Sequence, residues 1–476
     1  MINGSTWCRP IFPAATSLSN SSLIGNGSNS LACPWTDGDD TGVPVERPRQ
    51  IAVELLARDP SGEFLEDRLD AKLDQSGLPG PDRALCRELV FGVARWSARL
   101  DWILARYARQ PQQKRTLQTI LRVAFFQIFH LDRVPPHAAV DQAVQQAREL
   151  GFGPQSGFVN AILRQALRDR ETLAAELREL EIEDPATAYS HPPWLVERWQ
   201  SKFGTERTRA ILAANNTPAR VFARINTLKT TPEKLVERWR EEGVDYDFRT
   251  YDWTGENLVF CLKKSPPLAR LNSFKDGWFY IQDPSTLLSV ILLDPRPGKA
   301  VLDLCAAPGG KSTFIAQRME NRGQIAAQDR AFDRLPLLRE NCARLGATIV
   351  HATKSDCVVF PELNTAFDRI LVDAPCSNTG VMRRRLEVRL RIRPSEIERL
   401  VNLQAEILDQ AAPLLKPGGT LVYSTCSIES EENQENVSAF LARHPDYALE
   451  SERELLPGQC DTDGAYAAKL TRKLRS

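Results

Sequence analysis

Two cysteines stand where a thiol can react. Asp373-Ala374-Pro375-Cys376-Ser377 closes one short apolar run, and Ser424-Thr425-Cys426-Ser427 closes another. Both runs are β-rich, so each thiol falls at the tip of a strand, one of them in a proline-fixed turn beside an aspartate. A thiol of ordinary pKa, ~8.5, is already a few per cent thiolate at neutral pH, which suits cysteine to covalent catalysis. A single cysteine so placed is usually buried and inert. Two at the ends of neighbouring strands, with an acid next to one, point to chemistry instead. Spacing alone does not rank them.

Three other segments read as ligand-facing. Asp303-Leu304-Cys305-Ala306-Ala307-Pro308-Gly309-Gly310-Lys311 follows a strand with small residues that let a backbone approach a ligand, and its glycine pair leads into a helix whose first N–H groups are free. It is not G-x-G-x-x-G, and a tight strand-to-helix turn is the plainer reading. Asp329 ends the next strand, where an acid hydrogen-bonds ribose hydroxyls. Ser355-Asp356 follows the third, suited to an adenine amino group. For either aspartate alone a solvated surface position is the alternative.

The elements that must hold these residues alternate. Residues 300–305, 324–328, 348–351, 369–373 and 420–424 read as strands, with helices at 311–319, 335–345 and 403–415. Nearly continuous apolar strands separated by helices imply a parallel sheet covered on both faces, with ligands at the carboxyl ends of its strands. Upstream, 221–227 and 258–263 read as strands and 232–242 as a helix, a small α+β subdomain, preceded by a helix at 195–203. From 46 to 180 the pattern is helical. Leu117, Ile120, Leu121, Ala124, Phe125, Ile128 and Phe129 form one apolar stripe, and further helices are expected at 84–109, 137–149 and 157–168.

Composition sets outer bounds. The chain has 476 residues, with 61 Lys+Arg against 61 Asp+Glu, so any nucleic-acid substrate must meet a local basic surface rather than a global charge. Ten cysteines without a C-x-x-C pair and five histidines without H-E-x-x-H argue against a disulfide scaffold and a zinc site, and fit a reducing cytoplasm. No apolar run approaches the ~20 residues of a membrane span. Residues 1–45, rich in Ser, Asn, Gly and Thr, read as a disordered extension.

Taken together, the motifs resemble those of bacterial 16S ribosomal RNA cytosine-C5 methyltransferases of the Sun/Fmu type. The matching segments are Asp303–Lys311, Asp373–Ser377 with Thr379-Gly380, Ser424–Ser427 followed by Glu432-Asn433, Gln282-Asp283-Pro284, and Asp463–Leu470 as a closing strand. The front is similar to a NusB-like domain through Phe91–Arg95 and Phe158–Arg164. The resemblance implies an all-α NusB-like bundle (46–180), a linker helix and small α+β RNA-binding subdomain (181–287), and a Rossmann-like α/β domain (288–476) dependent on S-adenosylmethionine. It also implies a cytoplasmic monomer that acts on small-subunit ribosomal RNA, without a metal.

Residue roles follow from the resemblance. Cys426 is the nucleophile that adds to carbon 6 of cytosine, since carbon 5 is too weak a nucleophile to take a methyl group unaided. Cys376 assists release of the product, and Asp373 hydrogen-bonds the base and borders the donor. Cys305, Ala306, Ala307, Pro308, Gly309, Gly310 and Lys311 touch the methionine part of the donor, Asp329 the ribose and Asp356 the adenine. Lys311 also holds the catalytic site near the donor, with a polar first-turn helix residue as the alternative. Where the family commonly reads R-R-H-P-D after the fourth-strand loop, this chain has Arg383-Arg384-Arg385-Leu386-Glu387-Val388. The Asp–Cys pair is intact, and the loop beyond it departs.

For RNA, Arg383, Arg384 and Arg385, with Arg389, Arg391 and Arg393 behind them, are expected to meet phosphates, because arginine forks match phosphate oxygens. A solvated helix face is the alternative. Arg224 and Asn226 match a segment of RNA-recognising type, against a plain strand with an exposed arginine. Three rival activities share parts of this pattern. An amino-group methyltransferase needs no thiol and carries a Pro-Pro-aromatic turn where this chain has Ala374-Pro375-Cys376. A transfer RNA or DNA cytosine methyltransferase differs only in its accessory parts. A non-catalytic RNA-binding or antitermination factor would not need Asp373, Cys376 and Cys426 intact.

Overall fold

The computed structural model describes residues 47–58, 65–108, 114–354 and 366–474. Residues 1–45 and Asp356 lie outside them. The chain divides into two units, one ending at Ser190 and the other starting at His191.

The first unit is helical. Its core is lined by Leu89, Val93, Ile120, Leu121, Phe125 and Val159, and the apolar stripe of the sequence lies on the helix Arg115–His130, which buries ten of its sixteen residues. The long helix expected over 84–109 is two helices, Gly80–Arg95 and Ser97–Tyr107. The break is at Trp96, which leaves helical geometry (φ −106°, ψ 19°) and stacks its ring on His130 with centroids 4.9 Å apart. A tertiary contact here overrides local propensity. The unit ends with the helices Arg170–Glu183 and Pro185–Ala188.

The second unit holds two sheets. The smaller runs β2-β3-β1-β4, with β1 Val221–Ile225, β2 Asp245–Tyr251, β3 Gly255–Lys264 and β4 Phe279–Ile281. The helix Pro232–Glu242 brings Trp239 into its core against Phe260 and Phe279. The larger sheet has seven strands in the order β10-β11-β9-β8-β5-β6-β7: β5 Lys299–Leu304, β6 Gly323–Asp329, β7 Val350–Lys354, β8 Phe367–Asp373, β9 Leu415–Thr425, β10 Tyr447–Leu455 and β11 Ala465–Arg472. Strands β5 to β9 are parallel, and β11 and β10 add an antiparallel hairpin, so the sheet is mixed rather than wholly parallel.

Side chains of successive strand residues point to opposite faces, and both faces of this sheet are covered. Val301, Leu371 and Val422 join one apolar cluster with Leu288 and Phe314; Leu302, Ile370 and Tyr423 join the other with Ile407 and Leu408. Strand order reverses direction between β5 and β8, which opens a crevice beyond their carboxyl ends. The helix expected at 403–415 starts earlier, as Pro394–Ala411, with proline at its first turn where the missing N–H costs nothing.

Candidate active site

The two thiols meet. β8 and β9 pair in parallel with Asp373 opposite Ser424, which carries the two following loops out side by side. Cys376 Sγ and Cys426 Sγ lie 3.1 Å apart. The Cys426 backbone N–H donates to Cys376 Sγ (3.3 Å), and the Cys426 thiol donates to Asn378 Oδ1 (3.0 Å). Asn378 adopts the left-handed conformation (φ +61°), and its amide donates back to the Cys376 carbonyl. The two cysteines are not equivalent: Cys376 is buried, whereas Cys426 is half-buried. The hydrogen bond with Cys426, then burial, then the charges of Cys426 and Glu432 hold the Cys376 thiol well above the usual thiol range, so Cys376 stays neutral at physiological pH.

Lys311 and Asp373 are also brought together. Lys311 Nζ lies 2.5 Å from Asp373 Oδ1, and Ser424 Oγ donates to the same oxygen (2.9 Å). The ammonium comes from the first turn of the helix Gly310–Arg318 and the carboxylate from the end of β8, so this ion pair bridges the crevice between β5 and β8.

The loop after β5 has the expected form. Gly309 sits at φ +98°, a backbone that side chains with a Cβ rarely adopt, and it turns the chain into the helix. Asp329, at the end of β6, is buried and is already used by the backbone. Its Oδ2 accepts from the Ala307 N–H (2.9 Å) and its Oδ1 from the Ala331 N–H (2.8 Å), so it shapes this loop whatever else it binds.

Asp303 was not singled out by sequence reasoning, although it opens the motif. It is fully buried; Oδ2 accepts from Ser312 Oγ (2.5 Å), and Oδ1 has no hydrogen-bond partner among the described residues. Burial pushes its carboxyl up to about 7. The signal was an acid in an otherwise apolar strand. Glu432 and Gln404 were also missed as functional groups. Both are buried behind the thiol loops, and Glu432 had been noted only as part of a motif.

Several of the residues expected to meet RNA are engaged inside the fold. Arg224 is neither exposed nor available: it is 1% exposed, and its guanidinium donates to Gln282 Oε1 (2.8 Å), the Gly310 carbonyl (2.9 Å) and Thr313 Oγ1 (3.2 Å). It fastens the small sheet to the helix after the β5 loop. Asn226 is buried and donates to the carbonyls of Gly277 and Leu345. Arg383 and Arg384 face two buried carboxylates. Asp463 accepts from Arg383 Nε (2.5 Å) and Arg384 Nε (2.6 Å), and Asp283 from Arg384 Nη2 (2.9 Å). Burial opposes the charge of Asp463, but Arg384 and Arg383 more than offset it and hold the carboxyl below its usual range. A buried charge needs such partners, and these arginines are therefore committed inside the fold. Arg389 is buried on Asn215 and Asn216. Arg385 is half-buried and Arg393 exposed. Among the described residues, no group of three or more His, Cys, Asp or Glu is placed to hold a metal ion, and no helix is long and apolar enough to cross a membrane.

The chain is similar to known proteins along most of its length. Residues 290–471 match the family model described as 16S rRNA methyltransferase RsmB/F, residues 46–168 the NusB family, and residues 191–252 a ferredoxin-like domain of RsmF/B-like methyltransferases. The probable ribosomal RNA small subunit methyltransferase B of Bacillus subtilis is 34% identical over 450 residues, covering 89% of this chain and 98% of its own. Ribosomal RNA small subunit methyltransferase B of Salmonella typhi is 37% identical over 436 residues, 89% and 97% of the two chains. Among solved structures, PH0851 superposes with a TM-score of 0.69 at 25% identity over 91% of this chain and 100% of that one. A methyltransferase homolog protein from Pyrococcus horikoshii gives 0.53 at 34% over 60% and 96%. With the thiol pair, the donor crevice and relatives matched along nearly their whole length, the chain belongs to the RsmB/F family of 16S rRNA methyltransferases, with a NusB-family domain at its front.

Proposed function

We propose that this enzyme methylates carbon 5 of a cytosine in small-subunit ribosomal RNA through a covalent bond between Cys426 and the base. The observation that carries the reading is the thiol pair, 3.1 Å apart at the ends of β8 and β9 and flanked by the Lys311–Asp373 ion pair. An amino-group methyltransferase has no use for such a pair.

The methyl donor is S-adenosylmethionine, which supplies an electrophilic methyl group when bound. The residues fit it: a crevice at the switch point, a glycine turn, and a buried carboxylate oxygen on Asp303 with no partner among the described residues. Residues 305–311 with Asp303 and Asp373 would hold it, and Asp329 would fix the loop from behind.

The protein's own groups then divide the work. The half-buried Cys426 is the thiol within reach of a substrate, and as thiolate it adds to carbon 6 and makes carbon 5 electron-rich. Asp373 hydrogen-bonds the base and offsets charge as the thiolate adds. Lys311 holds Asp373 in place. Once carbon 5 is methylated, its proton passes to a solvent base, the electron pair of that C–H bond restores the 5,6 double bond, and the carbon–sulfur bond breaks; the neutral Cys376, 3.1 Å from Cys426 Sγ, is positioned to give the departing sulfur a proton. The target base must be unpaired or flipped out for carbon 6 to reach the sulfur.

The test uses two variants. C426A should abolish methyl transfer and RNA adducts on denaturing gels, whereas C376A should still form the adduct and accumulate it. Adducts from C426A with none from C376A would exchange the two roles.

A further inference from the structure

Behind the thiols lies a buried carboxylate that the reaction as described does not use. Glu432 is fully buried between the helices Pro394–Ala411 and Gln434–Arg443, and its side chain is held entirely by hydrogen bonds. Oε1 accepts from the Ser377 backbone N–H (2.8 Å) and from Gln404 Nε2 (2.9 Å). Oε2 accepts from Ser427 Oγ (2.5 Å) and from Ser377 Oγ. Ser377 is the residue after Cys376, and Ser427 the residue after Cys426. The two serine hydroxyls also touch each other (3.0 Å), and Thr379 Oγ1 joins them.

We infer that Glu432 is a positioning residue, a single carboxylate that grips both thiol-bearing loops and sets the distance between Cys376 and Cys426. The next residue completes the grip. Asn433 accepts from Thr425 Oγ1 (2.6 Å) and donates to the Ser427 carbonyl (3.0 Å), bracing Cys426 from both flanks. Among the described residues, no ion pair compensates the burial of Glu432. Four donors aimed at one carboxylate do so instead, and a network satisfied in this way fixes geometry more tightly than separate pairs would. The inference rests on the covalent reading above, because a set thiol–thiol distance matters only if both sulfurs act on one base.

The conservative change separates geometry from charge. In E432Q the amide oxygen keeps the Ser377 N–H and Gln404, and the amide NH2 donates to the two serine hydroxyls, so both loops stay tied. In E432A neither is. Displacing reacting groups by about 1 Å costs on the order of 100-fold in rate. E432A should therefore form the covalent adduct on 5-fluorocytidine-substituted small-subunit RNA roughly 100-fold more slowly than the native enzyme, with the KM for the donor and the RNA affinity unchanged, and E432Q should recover the rate to within about tenfold.

If E432A does not fold, S377A and S427A carry the test. Each should slow adduct formation, and the double variant should be slower by less than the product of the two, because both act through one carboxylate. An E432A enzyme that forms the adduct at the native rate, single serine variants without effect, or an E432Q enzyme as slow as E432A overturns the inference while leaving the covalent reading in place. A native enzyme that forms no adduct at all overturns both.

Discussion

At the scale of single residues, the chemistry was legible and the burial was not. Cys376, Cys426 and Asp373 stand out by residue type and position at strand ends, Lys311 through the resemblance, and the structure brings the four to one crevice. Arg224 reads as an RNA contact through a segment of RNA-recognising type, and Arg383 through its place beside the catalytic loop, where arginine forks match phosphate oxygens. What reverses that reading is the partner: Gln282 and Thr313 for one, Asp283 and Asp463 for the other. Those partners are 58 to 100 residues away in the chain, beyond the reach of any local pattern. Asp303 carries a prediction at this scale. Its carboxyl is pushed up to about 7 by burial, against ~3.9 in an unfolded chain. Between those values the folded protein keeps a proton that the unfolded chain has released, so this group's contribution to stability falls as pH rises through that window and levels off above it. D303N removes the titration. Urea unfolding at pH 5, 6, 7 and 8 should show the variant gaining on the native protein up to about pH 7, by at most about 1.4 kcal/mol per pH unit, and holding its gain thereafter. A difference that does not change with pH would mean that Asp303 does not titrate in this range.

At the scale of elements, the parallel strands and the helix Arg115–His130 followed from periodicity, since long, apolar or strongly amphipathic segments announce themselves. The strands β2, β4 and β10 did not. β4 is three residues long, and β2 and β10 are edge strands whose sequences, DYDFRTY and YALESEREL, bury few positions. Such strands are specified by the partner they pair with rather than by their own residues. The turn beyond Cys376 carries a steric limit of its own. Gly380 follows the Cys376 turn, donates its N–H to the Cys426 carbonyl (2.9 Å), and accepts from the Gly464 N–H (2.8 Å). A Cβ there would lie 2.7 Å from the Cys426 carbonyl oxygen and 2.8 Å from that of Gly464, both backbone atoms that cannot swing aside. G380A should therefore push the Cys426 strand end away from Cys376 and lower methyl transfer roughly 100-fold. Calorimetric affinity for S-adenosylmethionine should stay within a few-fold, because the donor loop lies on the other side of the crevice. Native turnover from G380A would show that the two strand ends tolerate displacement.

At the scale of the whole molecule, a helical front and an α/β body are readable from the change of pattern, which the sequence suggests at about residue 180 and the structure has at Ser190/His191, and the family could be recognised from its motifs together. The two buried arginine–aspartate pairs, the Arg224 anchor and the Glu432 network all lie in the second unit and tie distant segments to the strand ends. These buried groups hold the thiol loops and the crevice in register, and Arg224 and Arg383 are engaged inside the fold. The central claim is that sulfur 426 bonds to the pyrimidine. The most direct measurement is peptide mapping by mass spectrometry of the complex formed between the native enzyme, S-adenosylmethionine and 5-fluorocytidine-substituted small-subunit RNA. The account predicts a nucleotide mass on the peptide containing Cys426; a nucleotide on the Cys376 peptide, or none on either while methylation of normal RNA proceeds, would contradict it.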